Sequence, residues 1–125
     1  MKPEAAWQQT VVDLATLYRW LILRNNDARR EVTTPEGDHK LVGDTDAAGQ
    51  PDLILIRERV VWVELKAAGG RLRPAQKRVL EALRQAGQEV YVWWPQHLDE
   101  AREVLAPALE PKRWAMRGVG TRGRL

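Results

Sequence analysis

Two apolar runs, Asp52-Leu53-Ile54-Leu55-Ile56 and Val60-Val61-Trp62-Val63-Glu64-Leu65-Lys66, flank the three polar residues Arg57-Glu58-Arg59, and this feature constrains the fold most. Runs of that length and β-branched content, split by so short a polar break, read as an antiparallel hairpin. Gly69-Gly70 closes the second run. Pro74 then opens a helix from Ala75 to Ala86, with Val79, Leu80 and Leu83 on its inner side and Gly87 as the stop. Glu89-Val90-Tyr91-Val92-Trp93-Trp94 is the next strand, cut off by Pro95. A strand–helix–strand unit of this size predicts parallel strands joined by a right-handed crossover. The class is therefore α/β: a mixed sheet, an antiparallel hairpin plus a parallel βαβ crossover strand, flanked by helices.

Upstream, Trp7, Val11, Leu14, Tyr18 and Leu21 recur at helical spacing, with Val12, Ala15 and Ile22 widening the stripe. This predicts one helix over residues 4–24, ended by Asn25-Asn26-Asp27. Residues 27–51 are the least regular part, with a short strand near Ala28–Thr33; a connection this long usually serves function. A last helix is expected over 97–106. The length of 125 residues suits one domain, read here as 1–110, followed by a basic tail over 111–125. That tail holds Lys112, Arg113, Arg117, Arg122 and Arg124 without an acid, so the rest of the chain carries 15 bases against 17 acids despite the overall +3. Affinity for a polyanion must then come from local patches and the tail. With no Cys, disulfides and thiolate metal sites are excluded, and a reducing, intracellular compartment is expected. Met1-Lys2-Pro3-Glu4 runs straight into the amphipathic pattern, so no signal peptide is expected, and no apolar run is long enough for a membrane span.

Charged residues interrupt the hairpin where a solvated surface would not place them. Alternation along a strand puts Glu64 and Lys66 on one face with Trp62, while Val61, Val63 and Leu65 point into the core. If Arg57-Glu58-Arg59 is the loop, Ile56 pairs with Val60 and Asp52 falls opposite Glu64. Directly opposed carboxylates, with Cβ atoms about 4.5–5.5 Å apart, repel each other. They are tolerated when a cation lies between them or one keeps its proton. Hard oxygen ligands on a rigid strand pair suit Mg²⁺ or Mn²⁺. Lys66 then stands beside that cation as a point charge for a phosphate. This is equipment for phosphodiester hydrolysis. Glu4, three residues before Trp7, is expected to face inward, and Gln76 heads the apolar side of the second helix. Arg29, Arg30, Arg71, Arg73, Lys77 and Arg78 cluster around the proposed site as candidate phosphate contacts. Blander readings stand beside each: a turn cap for Asp52, a surface pair for Glu64 and Lys66, first-turn polar residues for Glu4 and Gln76. His39 and His97 lack partners at ligand spacing and read as structural. Asp44-Thr45-Asp46 lacks the spacing of a calcium loop.

Gly49-Gln50-Pro51-Asp52, eleven residues, then Glu64-Leu65-Lys66 resembles the PD-(D/E)xK nuclease motif. Five blocks, in order, narrow the resemblance to the VRR-NUC family: Glu4-Ala5-Ala6-Trp7-Gln8, Gln50-Pro51-Asp52-Leu53-Ile54-Leu55, Val63-Glu64-Leu65-Lys66-Ala67, Gly70-Arg71-Leu72-Arg73-Pro74-Ala75-Gln76, and Ala86-Gly87-Gln88-Glu89-Val90-Tyr91-Val92-Trp93. The resemblance implies a restriction-endonuclease-like core using Mg²⁺ or Mn²⁺. It makes Asp52, Glu64 and the Leu65 backbone carbonyl metal ligands, and Lys66 catalytic. It also gives Glu4 the helical acidic position, catalytic and a candidate further ligand, and Gln76 the catalytic glutamine after the second strand. Standalone phage and bacterial members resemble Holliday-junction resolvases and are typically homodimers. The expected function is thus a metal-dependent DNA endonuclease acting on branched DNA, in a bacterial or phage-infected cytoplasm. A flap or nicking nuclease and a catalytically inactive DNA-binding module stay open beside it. The 31–48 stretch is longer and more acidic than the family's short loop, which leaves substrate preference unsettled at this point.

Overall fold

The strand order of the central sheet follows from the hairpin and the crossover. In the computed structural model, which describes residues 2–25, 30–33, 39–42 and 46–108 (backbone only at 30–33, 39–42, 46 and 47), β4 (Leu53–Ile56) and β5 (Val60–Leu65) pair antiparallel with Ile56 opposite Val60. Helix α2 (Pro74–Gln85) leads to β6 (Glu89–Trp93), which lies parallel to β5 with Leu65 opposite Trp93. Both expectations hold, and the sheet is the predicted mixed one. A further strand, β1 (Leu21–Arg24), pairs antiparallel with β4 and completes the order β1-β4-β5-β6.

β1 corrects the N-terminal expectation. Helix α1 covers Pro3–Leu17 and stops a full turn and more before residue 24. The backbone turns out at Arg19, in the left-handed region at φ 67°. There the Arg19 N–H donates to the Thr16 carbonyl and the Trp20 N–H to the Ala15 carbonyl, the paired bonds of a Schellman terminus. Glycine usually holds that position because a side chain costs about 1–2 kcal/mol in left-handed backbone, and here an arginine stands in its place. The gain that offsets it is Trp20, 5% exposed, whose indole N–H donates to the Leu105 carbonyl. Leu21, expected on the buried stripe, is 60% exposed on β1.

The remaining elements are β2 (Arg30–Thr33), β3 (His39–Val42) and α3 (Leu98–Leu105). β2 matches the short strand expected near Ala28–Thr33; its antiparallel partner β3 was not expected, and the two form a separate sheet. The residues 109–125 that contain the basic tail lie outside the described chain. Among the described residues no helix is long and apolar enough to cross a membrane.

Alternation sorts the sheet into two faces. Leu53, Leu55, Val61, Val63, Leu65 and Trp93 join Trp7, Val11 and Ala15 of α1 and Ala101 and Leu105 of α3 in one buried cluster. The other face receives α2, which buries Leu80 and Gln76. The hairpin turn fastens the first face. Arg57 donates from one guanidinium nitrogen to the Tyr18 and Leu105 carbonyls at 2.9 and 3.1 Å, at the C-terminal ends of α1 and α3. Arg59 pairs with Glu89 at 2.8 Å and donates to the Val104 carbonyl. The Arg57 guanidinium lies 4.3 Å from the centre of the Trp20 ring, within cation–π range. Arg57→Ala removes the donor from both carbonyls. The Leu105 carbonyl keeps the Trp20 indole N–H, so the Tyr18 carbonyl is the acceptor left short; at about 1–3 kcal/mol for one such group, a loss of about 2 kcal/mol is expected. It is read as a lower urea midpoint with an unchanged slope.

Candidate active site

The hairpin register carries Asp52 and Glu64 to facing positions, one step beyond the Leu53–Val63 pair. Asp52 precedes the strand, yet its carboxylate continues the ladder: Oδ2 accepts the Leu65 N–H at 2.8 Å. The Asp52 carbonyl in turn accepts the Asn25 N–H at 2.8 Å, extending the β1 pairing by one residue. Asp52 is thereby held from both sides.

Glu64 is 1% exposed, a burial that a carboxylate tolerates only with partners. Gln76, third residue of α2, supplies one. Its amide oxygen accepts the Arg73 N–H at 2.8 Å, half of a capping box at the helix start. Since that oxygen is committed to an N–H, the amide nitrogen has to face Glu64, and it donates to Oε2 at 2.9 Å. Lys66 Nζ approaches the same oxygen at 3.5 Å. Oε1 is left buried with no hydrogen-bond partner. Burial, then the neighbouring Asp52 carboxylate, raises the Glu64 pKa to about 8 against the opposing pull of Lys66. Asp52 is raised for the same first reason, while the Leu65 N–H, Lys66 and Arg73 act the other way.

The segment before Asp52 is seated by contact. A 3₁₀ turn, Asp46–Gly49, packs on α2. Gly49 lies so close to that helix that a Cβ there would come within 2.2 Å of the Ala75 carbonyl oxygen and 2.8 Å of the Gln76 nitrogen. Arg73 donates to the Ala48 carbonyl at 3.2 Å, tying the turn to the helix start.

Asp52, Glu64, Lys66 and Gln76 therefore come together as expected, with the Leu65 backbone between them. Glu4 differs from expectation. It lies in the first turn of α1 and is exposed, so the helical stripe does not bury it. Its charge still raises the pKa of both Asp52 and Glu64. Both ends of the Gln76 amide are spent, on Glu64 and on the Arg73 backbone. Arg71 and Arg73 lead into α2 and Lys77 and Arg78 lie in its first turns, all exposed around the same end. Arg30 lies on β2, its side chain outside the described atoms, and Arg29 and the Asp44-Thr45 pair lie outside the described residues. His97 Nδ1 accepts the Trp94 N–H at 3.0 Å, a structural role. Sequence reasoning missed Asn25, whose strand-like bond to Asp52 was hidden once residues 4–24 read as helix.

Among the described residues no three acidic or histidine side chains assemble into a closed metal cage. The donor set nevertheless fits a hard divalent cation. Two facing carboxylates and one orphaned buried oxygen want a positive charge, and Mg²⁺ commonly takes only one or two protein carboxylates.

Residues 22–95 match the family model for the VRR-NUC domain, which is more than half of the 125-residue chain. The chain belongs to the VRR-NUC domain family. The matched segment runs from β1 to just past β6 and contains Asp52, Glu64, Lys66 and Gln76, while Glu4 and α3 lie outside it. No curated protein and no solved structure matches the chain. Membership in this family implies nuclease activity and DNA binding in general terms.

The facing acids cost the domain stability. Asp52→Asn keeps an acceptor for the Leu65 N–H and removes the charge that, after burial, holds the Glu64 carboxyl up. The variant is expected to melt about 2–4 °C higher than the parent without metal, the shift produced by relieving on the order of 1 kcal/mol. Millimolar Mn²⁺ is expected to raise the parent's melting temperature and leave that of the variant unmoved, since only ligand bound to the native state stabilises it.

Proposed function

We propose that this VRR-NUC domain is a divalent-metal-dependent DNA endonuclease that hydrolyses phosphodiester bonds in branched DNA such as a four-way junction. The observation that carries the reading is the orphaned Glu64 Oε1, buried opposite Asp52 with Lys66 alongside. A group so placed is unfavourable unless a cation or a retained proton completes it, and perturbed carboxylates with a neighbouring ammonium are the marks of a reacting centre.

Asp52, Glu64 and the Leu65 carbonyl would hold Mg²⁺ or Mn²⁺. Bound there, such an ion supplies Lewis acidity toward a phosphoryl oxygen and eases deprotonation of the attacking water. Lys66 steadies the negative charge that grows on the non-bridging oxygens as water adds and the sugar oxygen departs. Glu64 keeps the ammonium in place, and Gln76 keeps Glu64 in place. Arg71, Arg73, Lys77 and Arg78 bind flanking phosphates at the start of α2, where the helix dipole also favours an anion. Glu4 adds negative potential at the rim. The placement within the PD-(D/E)xK nucleases, the preference for branched DNA and a homodimeric state rest on the resemblance of the quoted blocks to standalone members of the family.

The test compares end-labelled four-way junction, flap, single strand and plain duplex with Mn²⁺, Mg²⁺ or EDTA. Metal-dependent cutting of the junction at paired symmetric positions is expected. Lys66→Ala is expected to lower kcat by about 10²–10³-fold while leaving DNA affinity within a few-fold, as loss of a charge-stabilising group does. No product on any DNA from folded, metal-loaded protein overturns the reading and leaves a DNA-binding module.

A further inference from the structure

Beside the acidic pair the sheet carries a recess that none of the roles above uses. On the face that holds Glu64, the pairing aligns Leu23, Ile54 and Trp62 across β1, β4 and β5. These three side chains line a shallow, open-sided slot together with Arg24, Asn25, Gln50 and Pro51. Since α2 buries the neighbouring part of this face, the slot is where the sheet surface is left apolar and accessible. Leu23 is 47% exposed and Ile54 and Trp62 are half-buried.

Its position ties it to the reaction. The next same-face positions along the strands are Asn25, Asp52 and Glu64, so the slot lies about 7 Å from the carboxylates, two residues of strand rise. The Trp62 indole N–H donates to Gln88 Oε1 at 3.1 Å, which fixes the ring against rotation. A held indole between two aliphatic side chains suits a flat heterocycle. The Asn25 amide nitrogen already donates to the Gln50 carbonyl at 3.3 Å, which holds its oxygen at the slot as an acceptor; the exposed Gln50 amide adds a donor and an acceptor for a base edge, and Arg24 offers a cation to the adjoining phosphate.

We infer that this slot receives one unpaired nucleobase of the strand being cut, next to the scissile phosphate. The inference rests on the nuclease reading and deepens it: a base inside a continuous duplex cannot enter, so the substrate is DNA with an unstacked nucleotide at the cut. Extrusion costs least where pairing is already broken, as at a branch point or in single strand. Trp62 is then a substrate-binding residue that selects for the structure of the DNA and not for its sequence.

The test uses the full chain with Mn²⁺ and the best-cut DNA, placing a single abasic nucleotide at each position flanking the mapped cut. One position is expected to lower kcat/KM about tenfold, within the range reported for losing one base–aromatic stack. Trp62→Ala is expected to lose a similar factor on intact DNA and nothing further on that abasic DNA, and Trp62→Phe to recover most of it. Anisotropy binding in EDTA is run on the same abasic series. Cleavage indifferent to every abasic position overturns the slot and leaves the nuclease. Base-dependent binding through Trp62 with no cleavage of any DNA overturns the nuclease and leaves the slot as a base-binding site. Because the abasic series needs only the parent protein, failure of Trp62→Ala to fold does not blunt it.

Discussion

The register between β4 and β5 is the constraint on which the site depends. A strand has a period of two, so a slip of one residue would move Glu64 into the apolar face and Val63 out of it. The three-residue turn at Arg57–Arg59 and the continuous burial of Leu53, Leu55, Val61, Val63 and Leu65 forbid that slip. The same packing that makes the core brings two carboxylates face to face. Fold and site are one decision, taken at the hairpin.

What the register brings together, α2 then arranges. Its start holds Gln76 against Glu64, seats the Asp46–Gly49 turn, and presents basic residues around the acids. The helix is therefore more than a crossover between parallel strands. Its first turn serves as the lateral wall of the site, and the Gln76 capping bond makes helix initiation and carboxylate orientation the same event. Arg57 and Arg59 do comparable work on the opposite face, where they close the ends of α1 and α3 away from the acidic pair.

Where the chain spoke through short-range pairing, its sequence was readable. The β4–β5 hairpin, the α2–β6 crossover, the partnership of Asp52 with Glu64 and the inward turn of Gln76 all followed from alternation, spacing and punctuation. The N-terminal region was not, because its terminator is an arginine. Arg19 carries none of the glycine or asparagine signal that marks a left-handed helix end, and Leu21 and Ile22 continued the helical spacing by coincidence while belonging to a strand. That one misreading hid β1, and with β1 went Asn25 and the slot floor at Leu23. Glu4 was placed in the right neighbourhood but given the wrong exposure, since the stripe that buries Trp7 and Val11 had not yet turned inward at the first turn. β3 left no usable trace, its four residues lacking the apolar alternation that announces a strand.

The contact at Gly49 bears on how such signatures should be read. The glycine stands in the Gly-Gln-Pro-Asp block three residues before Asp52, and its lack of a side chain is required by the α2 backbone. A saturation survey of this domain would score Gly49 as intolerant on that ground alone. Intolerance to substitution here reports clearance between two pieces of backbone. The block is a composite, one letter recording a buried-side carboxylate and another recording the clearance the backbone needs beside it.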